Sequence, residues 1–307
     1  MIKNALMTGV AGFIGSNLLD HLFSRADWKI TGIDNLTTGS EDNIRHQFNN
    51  PRFKFIKQSC SDLKSLKGFD CIFHLAALPR IQPSFDLIKE HVEANLLQAI
   101  HLIELMIKEN YYPRIIYSGS SAIYGNPKKI PTNESAEINC LNPYSFQKYE
   151  VEKYFELIAT RYPLNYVTLR YFNPYGPRSF NPKNKFNAYS SVVGIFLNKM
   201  QEGKPLFVTG DGSQKRDFIH INDVAEANYL AATLPGKSNT AFNIGNGSTF
   251  SVLDLAKMIS DKIEFIPKRE GEADVTFADI TKAQKQLGWT PVYNLKQYVE
   301  KFKTENS

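Results

Sequence analysis

Tyr144 and Lys148, set four residues apart in PYSFQK, form the pair in this chain best suited to moving a proton. Asn142 and Pro143 have the types of an N-cap and a first helical residue. With Pro163 lying beyond them, they predict a helix that begins there and stops before that proline. On a helix, positions i and i+4 project from one face, a turn apart. A tyrosine ordinarily loses its proton near pH ~10, and a neighbouring cation favours the phenolate, a tenfold gain in its population being worth ~1.4 kcal/mol. Such a pair can take a proton from a sugar hydroxyl. The same pair also occurs on solvated helix faces, so the surrounding elements decide its meaning.

Those elements begin at the N-terminus. An apolar run, Ala5 to Thr8, leads into GVAGFIG and the helix-like SNLLDHLFSRA. Strand, glycine turn and helix form the context of a dinucleotide fingerprint, with Gly9, Gly12 and Gly15 allowing a pyrophosphate to approach backbone N–H groups. A second strand over 29–33 ends in Asp34, about twenty residues further on, where a carboxylate accepts from an adenosine ribose hydroxyl and repels a 2′-phosphate. The expected cofactor is therefore NAD rather than NADP; a surface aspartate opening a turn is the plainer alternative. Asp62 follows the next strand, and His74-Leu75-Ala76-Ala77 ends the one after it. In an open α/β sheet these carboxyl ends face the ligand crevice. A long helix is expected near 85–108, then a strand over 114–117, the Tyr144 helix and a strand over 166–169. This alternation predicts an α/β fold, a Rossmann-type doubly wound parallel sheet with a smaller α/β C-terminal substrate lobe. The division expected is 1–172 for the NAD-binding part and 173–307 for the lobe, with part of 206–245 returning to the first.

Composition bounds the function classes. At 307 residues, 42% hydrophobic and 22% charged, the chain is ordinary for a folded globular protein. Net charge is +5, with scattered lysines and no basic stripe interleaved with aromatics, so no nucleic-acid partner is expected. Cys60, Cys71 and Cys140 are odd in number and lack a CxxC, which speaks against a disulfide scaffold or structural zinc, and no metal site is expected. No apolar run approaches ~20 residues, and the N-terminus has no leader-like stretch. No membrane association is expected, and the expected location is cytoplasmic.

TGVAGFIGSNL, Asp34-Asn35, HLAAL, Asn95, SGSSAIYG, PYSFQK, RYFNPYGPR, GDGSQKRDFIH and REGEADVTFAD occur in this order. Together they resemble the extended short-chain dehydrogenase/reductase family in its nucleotide-sugar epimerase branch, over nearly the whole chain. The resemblance implies that Gly9, Gly12, Phe13, Ile14 and Gly15 hold the pyrophosphate, and that Asp34 and Asn35 hold the adenosine ribose. It places Asp62 and Leu63 at the adenine, Ala76, Ala77 and Leu78 along the cofactor's middle, Asn95 and Ser118 on the cofactor side, and Phe172 beside the nicotinamide. Tyr144 and Lys148 become the proton-moving pair, with Lys148 also bonding the nicotinamide ribose, and Ser120 takes the place of the family's catalytic Ser or Thr. For a nucleoside diphosphate sugar, the resemblance implies Asn173, Arg216 and Arg269 at the diphosphate, Phe207 on the pyrimidine and Ser191 and Val192 at the uracil. It puts Glu272 at the ribose, where relatives usually carry Asp, and Thr276 at the sugar's C2. It also implies a homodimer, in which the two long helices pair with their copies as a four-helix bundle. Leu96, Ile100, Ile103 and Ile107 fit such a face, and equally fit packing on the sheet.

The branch shares oxidation at C4. Its dehydratases place Asp and Glu directly after the catalytic Thr, whereas here Ser121 and Ala122 follow Ser120, and neither is a general acid or base near neutral pH. Dehydration and the related decarboxylation are therefore disfavoured, leaving NAD-dependent 4-epimerisation of a UDP-sugar. The modest size of Thr276 favours UDP-GlcNAc/UDP-GalNAc, with UDP-glucose/UDP-galactose as further substrates. Pro79 and Arg80 depart from the pattern, and Arg80 suits either a UDP-uronic acid or solvent. An NAD-binding regulatory protein without turnover is the non-enzyme alternative.

Overall fold

Strands that are apolar along nearly their whole length are those buried on both faces, which is the condition inside a parallel sheet covered by helices. The chain contains several. In the computed structural model, which describes residues 2–180 and 191–305, the first six strands are β1 (Asn4–Thr8), β2 (Lys29–Asp34), β3 (Phe53–Lys57), β4 (Cys71–His74), β5 (Arg114–Ser120) and β6 (Tyr166–Tyr171). Five short or late strands follow them: β7 (Pro174–Tyr175), β8 (Leu206–Thr209), β9 (Lys215–Arg216), β10 (Ile219–His220) and β11 (Asn239–Ile244). The last two are β12 (Phe250–Ser251) and β13 (Ile263–Ile266). Every residue of β4 and of β6 is buried. The principal sheet has seven parallel strands in the order β3-β2-β1-β4-β5-β6-β11. Thr8 pairs in register with both Ile33 and His74, and Ser120 with Tyr171, so the strands end along one edge. The order reverses between β1 and β4, and there the crevice opens.

Helices cover both faces. They are α1 (Phe13–Arg25), α2 (Ile81–Asp86), α3 (Ile88–Val92), α4 (Gln98–Glu109), α5 (Pro143–Ala159), α6 (Val192–Gln201), α7 (Ile221–Thr233), α8 (Val252–Ile259) and α9 (Leu295–Glu305). Helices α1 and α7 share a core with Met7, Phe73 and Val167, while α4 and α5 share the opposite one with Leu6, Ile115 and Tyr117. A smaller lobe packs α6, α8 and α9 around Val193, Phe196, Leu206, Leu255 and Val299.

The chain crosses between the two parts. Of the stretch 206–245, β8 pairs with β13 inside the smaller lobe, whereas α7 and β11 return to the principal sheet. The helix expected over 85–108 is broken. Leu87 leaves helical geometry at ψ 54°, and Glu93–Leu97 forms a wide π-helical turn before α4. Asn95 turns inward in that widened turn and bonds another segment. Ile103 is buried in the core, with Leu96 and Ile107 packed against it, so the expected interface stripe serves the sheet at these positions. The large apolar side chains left exposed on this face are Phe85, Ile88, Leu97, Phe146, Tyr154 and Leu157.

Helix α5 begins where its cap residues predict. Asn142 Oδ1 accepts from Ser145 N at 2.8 Å, Pro143 is the first helical residue, and the helix ends before Pro163. One buried ion pair fixes it to the sheet: Arg170 on β6 donates to Glu152 at 2.6 Å, with both side chains less than a tenth exposed. Removing either partner would strand a buried charge, so the pair sets where α5 can sit.

Candidate active site

A cavity of about 1210 Å³ runs from the carboxyl edge of the principal sheet to the smaller lobe. Its first half is made of backbone. Gly9 adopts φ +72°, and a Cβ there would meet Ala76 N at 2.8 Å, so only glycine lets the two loops approach. Gly12 caps α1 without a side-chain bond, and no acidic residue occupies that helix's first turn. The first amides of α1 therefore remain available to an anion, in the positive end of the helix dipole. The buried Asp34 accepts from Ala11 N at 3.0 Å and Leu36 N at 2.7 Å, tying the glycine loop to the end of β2; burial raises its pKa, and these two bonds oppose that. A cradle open only to backbone, with a carboxylate at its rim, fits a dinucleotide such as NAD.

In the middle lies the proton-moving group. Ser120 and Tyr144 line the cavity together, the Ser120 side chain acting to lower the Tyr144 pKa, and Ala122 N donates to Ser120 Oγ at 3.2 Å. Lys148 Nζ donates to Ser118 O at 2.9 Å and lies 5.0 Å from the centroid of the Tyr117 ring. Burial pushes Lys148 down to about 7, with Glu152 resisting. Burial raises the pKa of Tyr144, while the Ser120 side chain and the charge of Arg80 lower it. The charge of Arg80 thus acts on Tyr144 in addition to what the sequence suggests, and Lys148 is held against the β5 carbonyl. Behind them His74 donates or accepts at Thr8 Oγ1 (2.9 Å), and burial with the nearby Lys148 charge pushes it down to about 3, so it is neutral.

The far half is made of side chains. Arg216 donates from Nη1 to Lys215 O at 3.0 Å, and its Nη2 lies 3.5 Å from Glu272 Oε2. Arg269, Ser191, Val192 and Thr276 also line this end. Phe207 is 40% exposed, with Lys199 Nζ 4.1 Å from its ring centroid. Lys199 stands over one face of that ring, so a planar group would stack on the other face or displace it. Asn173 lines the cavity, yet its Nδ2 already donates to Asp217 O (2.8 Å) and Thr276 Oγ1 (2.9 Å). Both amide hydrogens are spent, so Asn173 braces this wall, and the expected bond from its amide to a diphosphate is not available as the side chain stands.

Four expected positions lie outside the cavity lining. Asp62 closes a capping box, accepting from Ser59 N at 3.1 Å, and Leu63 is buried in the core. Gln58, Ser59, Cys60 and Ser61 line the cavity in their place. The carboxyl end of β3 was the usable signal, and it points to Gln58 rather than further along. Asn95 Oδ1 accepts from Leu78 N at 2.7 Å, and its Nδ2 donates to Gln147 Oε1 at 2.9 Å, stapling the loop after β4 to α5. Phe172 is buried against Tyr124 with ring centroids 6.2 Å apart and does not line the cavity. The remaining expected residues, Phe13, Ile14, Gly15, Asn35, Ala76, Ala77, Leu78 and Ser118 among them, all line it. Arg178, Ser179 and Gln214 line it without having been singled out.

Known proteins share this architecture. Residues 5–245 match the NAD dependent epimerase/dehydratase family. A UDP-glucose 4-epimerase from Thermotoga maritima, solved with UDP-glucose, is 33% identical, with a TM-score of 0.87 over 99% of this chain and 100% of that one. A UDP-N-acetylglucosamine 4-epimerase from Methanobrevibacter ruminantium, in complex with UDP-N-acetylmuramic acid, is 30% identical, with a TM-score of 0.88 over 99% of both chains. A UDP-glucuronic acid 4-epimerase from Bacillus cereus, in complex with UDP-glucuronic acid and NAD, is 30% identical, with a TM-score of 0.88 over 99% of this chain and 98% of that one. The chain belongs to the NAD-dependent epimerase/dehydratase family, in the branch of the UDP-sugar 4-epimerases, and is an NAD-dependent isomerase.

Proposed function

We propose that the protein interconverts C4 epimers of a UDP-sugar, with UDP-GlcNAc/UDP-GalNAc accepted and UDP-glucose/UDP-galactose as further substrates. The observation that carries this reading is the meeting of Ser120, Tyr144 and Lys148 in one cavity with the glycine cradle and Arg216. NAD, held by the amides after Gly9 and the rim at Asp34 and Asn35, supplies a reversible hydride acceptor for C4. Ser120 and Tyr144 take the proton from the sugar's O4 and give it back, in the role of general base and then acid. Arg216 and Arg269 hold the diphosphate while the 4-keto sugar turns over, and Phe207 stacks on the base. The positions after Ser120 are Ser121 and Ala122, which offer no acid or base for eliminating a hydroxyl or carboxyl group. Thr276 lines the cavity and is short, which leaves room for an acetamido group.

Proton NMR of the purified protein with UDP-GlcNAc and with UDP-glucose tests the reading. The expected result is the matching C4 epimer, formed without net consumption of NAD, and a loss of about 10²–10⁴-fold in kcat for Tyr144→Phe. A deoxy or keto product would defeat it. The exposed apolar residues on α2, α3, the π-helical turn and α5 support a homodimer through that face, which the mass of the protein in solution decides. Among the described residues no helix is long and apolar enough to cross a membrane, and no cluster suited to a metal ion occurs.

A further inference from the structure

Arg80 lines this cavity close to Tyr144, and the reaction above assigns its guanidinium no bond to the substrate. It lines the cavity from the segment between β4 and α2, in a backbone conformation of φ +104° that side chains other than glycine rarely adopt. The segment that carries it is fastened on both sides. Ser84 Oγ accepts from Tyr144 N at 3.2 Å, and Gln82 Nε2 donates to Glu270 O at 2.8 Å. Arg80 is therefore delivered between the proton-moving tyrosine and the loop that bears Arg269 and Glu272. Its Nη2 is buried and has no hydrogen-bond partner.

A buried guanidinium nitrogen left unpaired is costly, and such groups in folded proteins are normally satisfied. The charges that face Arg80 are Tyr144, Arg269 and Glu272. Arg269 repels it, and Glu272 is already drawn to Arg216. The diphosphate has Arg216 and Arg269. What remains is an anion placed beside Tyr144, at the reacting sugar, and the planar fork of an arginine matches a carboxylate in two parallel bonds.

We propose that Arg80 is a specificity residue for a carboxylate on the substrate's sugar ring, so that the protein prefers a UDP-hexuronic acid to the neutral UDP-hexose of the same configuration. This rests on the UDP-sugar reading above and deepens it. Thr276 concerns the substituent at C2, whereas Arg80 concerns the acid group, so an acetamido group and a carboxylate are compatible in one substrate.

The experiment compares matched pairs on the NAD-loaded protein: UDP-glucuronic acid against UDP-glucose, and the 2-acetamido uronic acid against UDP-GlcNAc, by calorimetric affinity and by kcat/KM. Wild type is expected to favour the acid of each pair by tenfold or more. Arg80→Gln should erase that preference while keeping affinity for UDP alone and the bound NAD, and Arg80→Lys should restore part of it. Equal affinity of wild type for acid and neutral sugar overturns the proposal, and wild type suffices for this even where a variant fails to fold. A loss in Arg80→Gln that is equal for every sugar, or equal for UDP alone, also overturns it, making Arg80 a third diphosphate contact. A shift of the alkaline pH limb common to all sugars, with the preference intact, overturns it in favour of service to Tyr144. If the sugars bind and none is epimerised, the reaction assigned above fails while the affinities still decide the role of Arg80. If no UDP-sugar binds, both fall.

Discussion

At one end of the cavity the wall is backbone, with Gly9 pressed against Ala76, the open amides of α1 and Asp34 bonded to Ala11 and Leu36. At the other it is long side chains, Arg216, Arg269, Phe207 and Lys199, gathered from separate segments. The first kind of wall is harmed by adding an atom, the second by removing one. A backbone cradle suits a cofactor that stays through every cycle. A wall of charged side chains suits the anionic diphosphate of a nucleotide sugar. Arg80 stands at the junction, since its segment touches both Tyr144 and the loop of Arg269.

The largest effect should follow from adding one carbon at the first end. Gly9→Ala puts a Cβ 2.8 Å from Ala76 N in a backbone conformation of φ +72°, adding about 1–3 kcal/mol of overpacking to about 1–3 kcal/mol of backbone strain. NAD retained through purification should fall by tenfold or more while affinity for UDP changes little, and parallel losses of both would break the contrast between the ends. Next is Arg216→Ala at the other end. Removing its charge-assisted bonds should weaken UDP-sugar binding by about 1.5–3 kcal/mol, with bound NAD unchanged. Calorimetry against UDP reads this, and loss of NAD would show the ends to be coupled. The smallest effect sharpens the comparison in the middle. Lys148 has a pKa of about 7 in the folded chain, below its ordinary 10.5. Between those values the unfolded chain binds the extra proton, so stability rises with pH across that window and is lost as pH falls through 7. Lys148→Met should therefore be more stable than wild type at pH 7 by about 1 kcal/mol, although inactive, and the gap should close towards pH 10. Urea unfolding at several pH values measures it. A gap that does not change with pH would mean that the buried ammonium costs nothing.

Much of this molecule is governed by neighbours in sequence, and that part was readable. The glycine spacing, the Asn142–Pro143 start of α5, the buried runs of β1, β4 and β6, and the Tyr144–Lys148 pair depend on contacts within a turn or a strand. Their outcome changes little with what folds over them. Other features were settled by competition between distant segments for the same polar atoms. Asp62 was taken by the Ser59 cap, the amide of Asn173 by Asp217 and Thr276, and Asn95 by Leu78 and Gln147. The long helix breaks at Leu87 and widens around Asn95, and the charge of Arg80, from a distant loop, joins in lowering the Tyr144 pKa. Residue type tells which bonds a side chain is able to make. Which of them it makes depends on which partners the packed chain brings within reach, because a buried donor must be satisfied by whatever lies beside it.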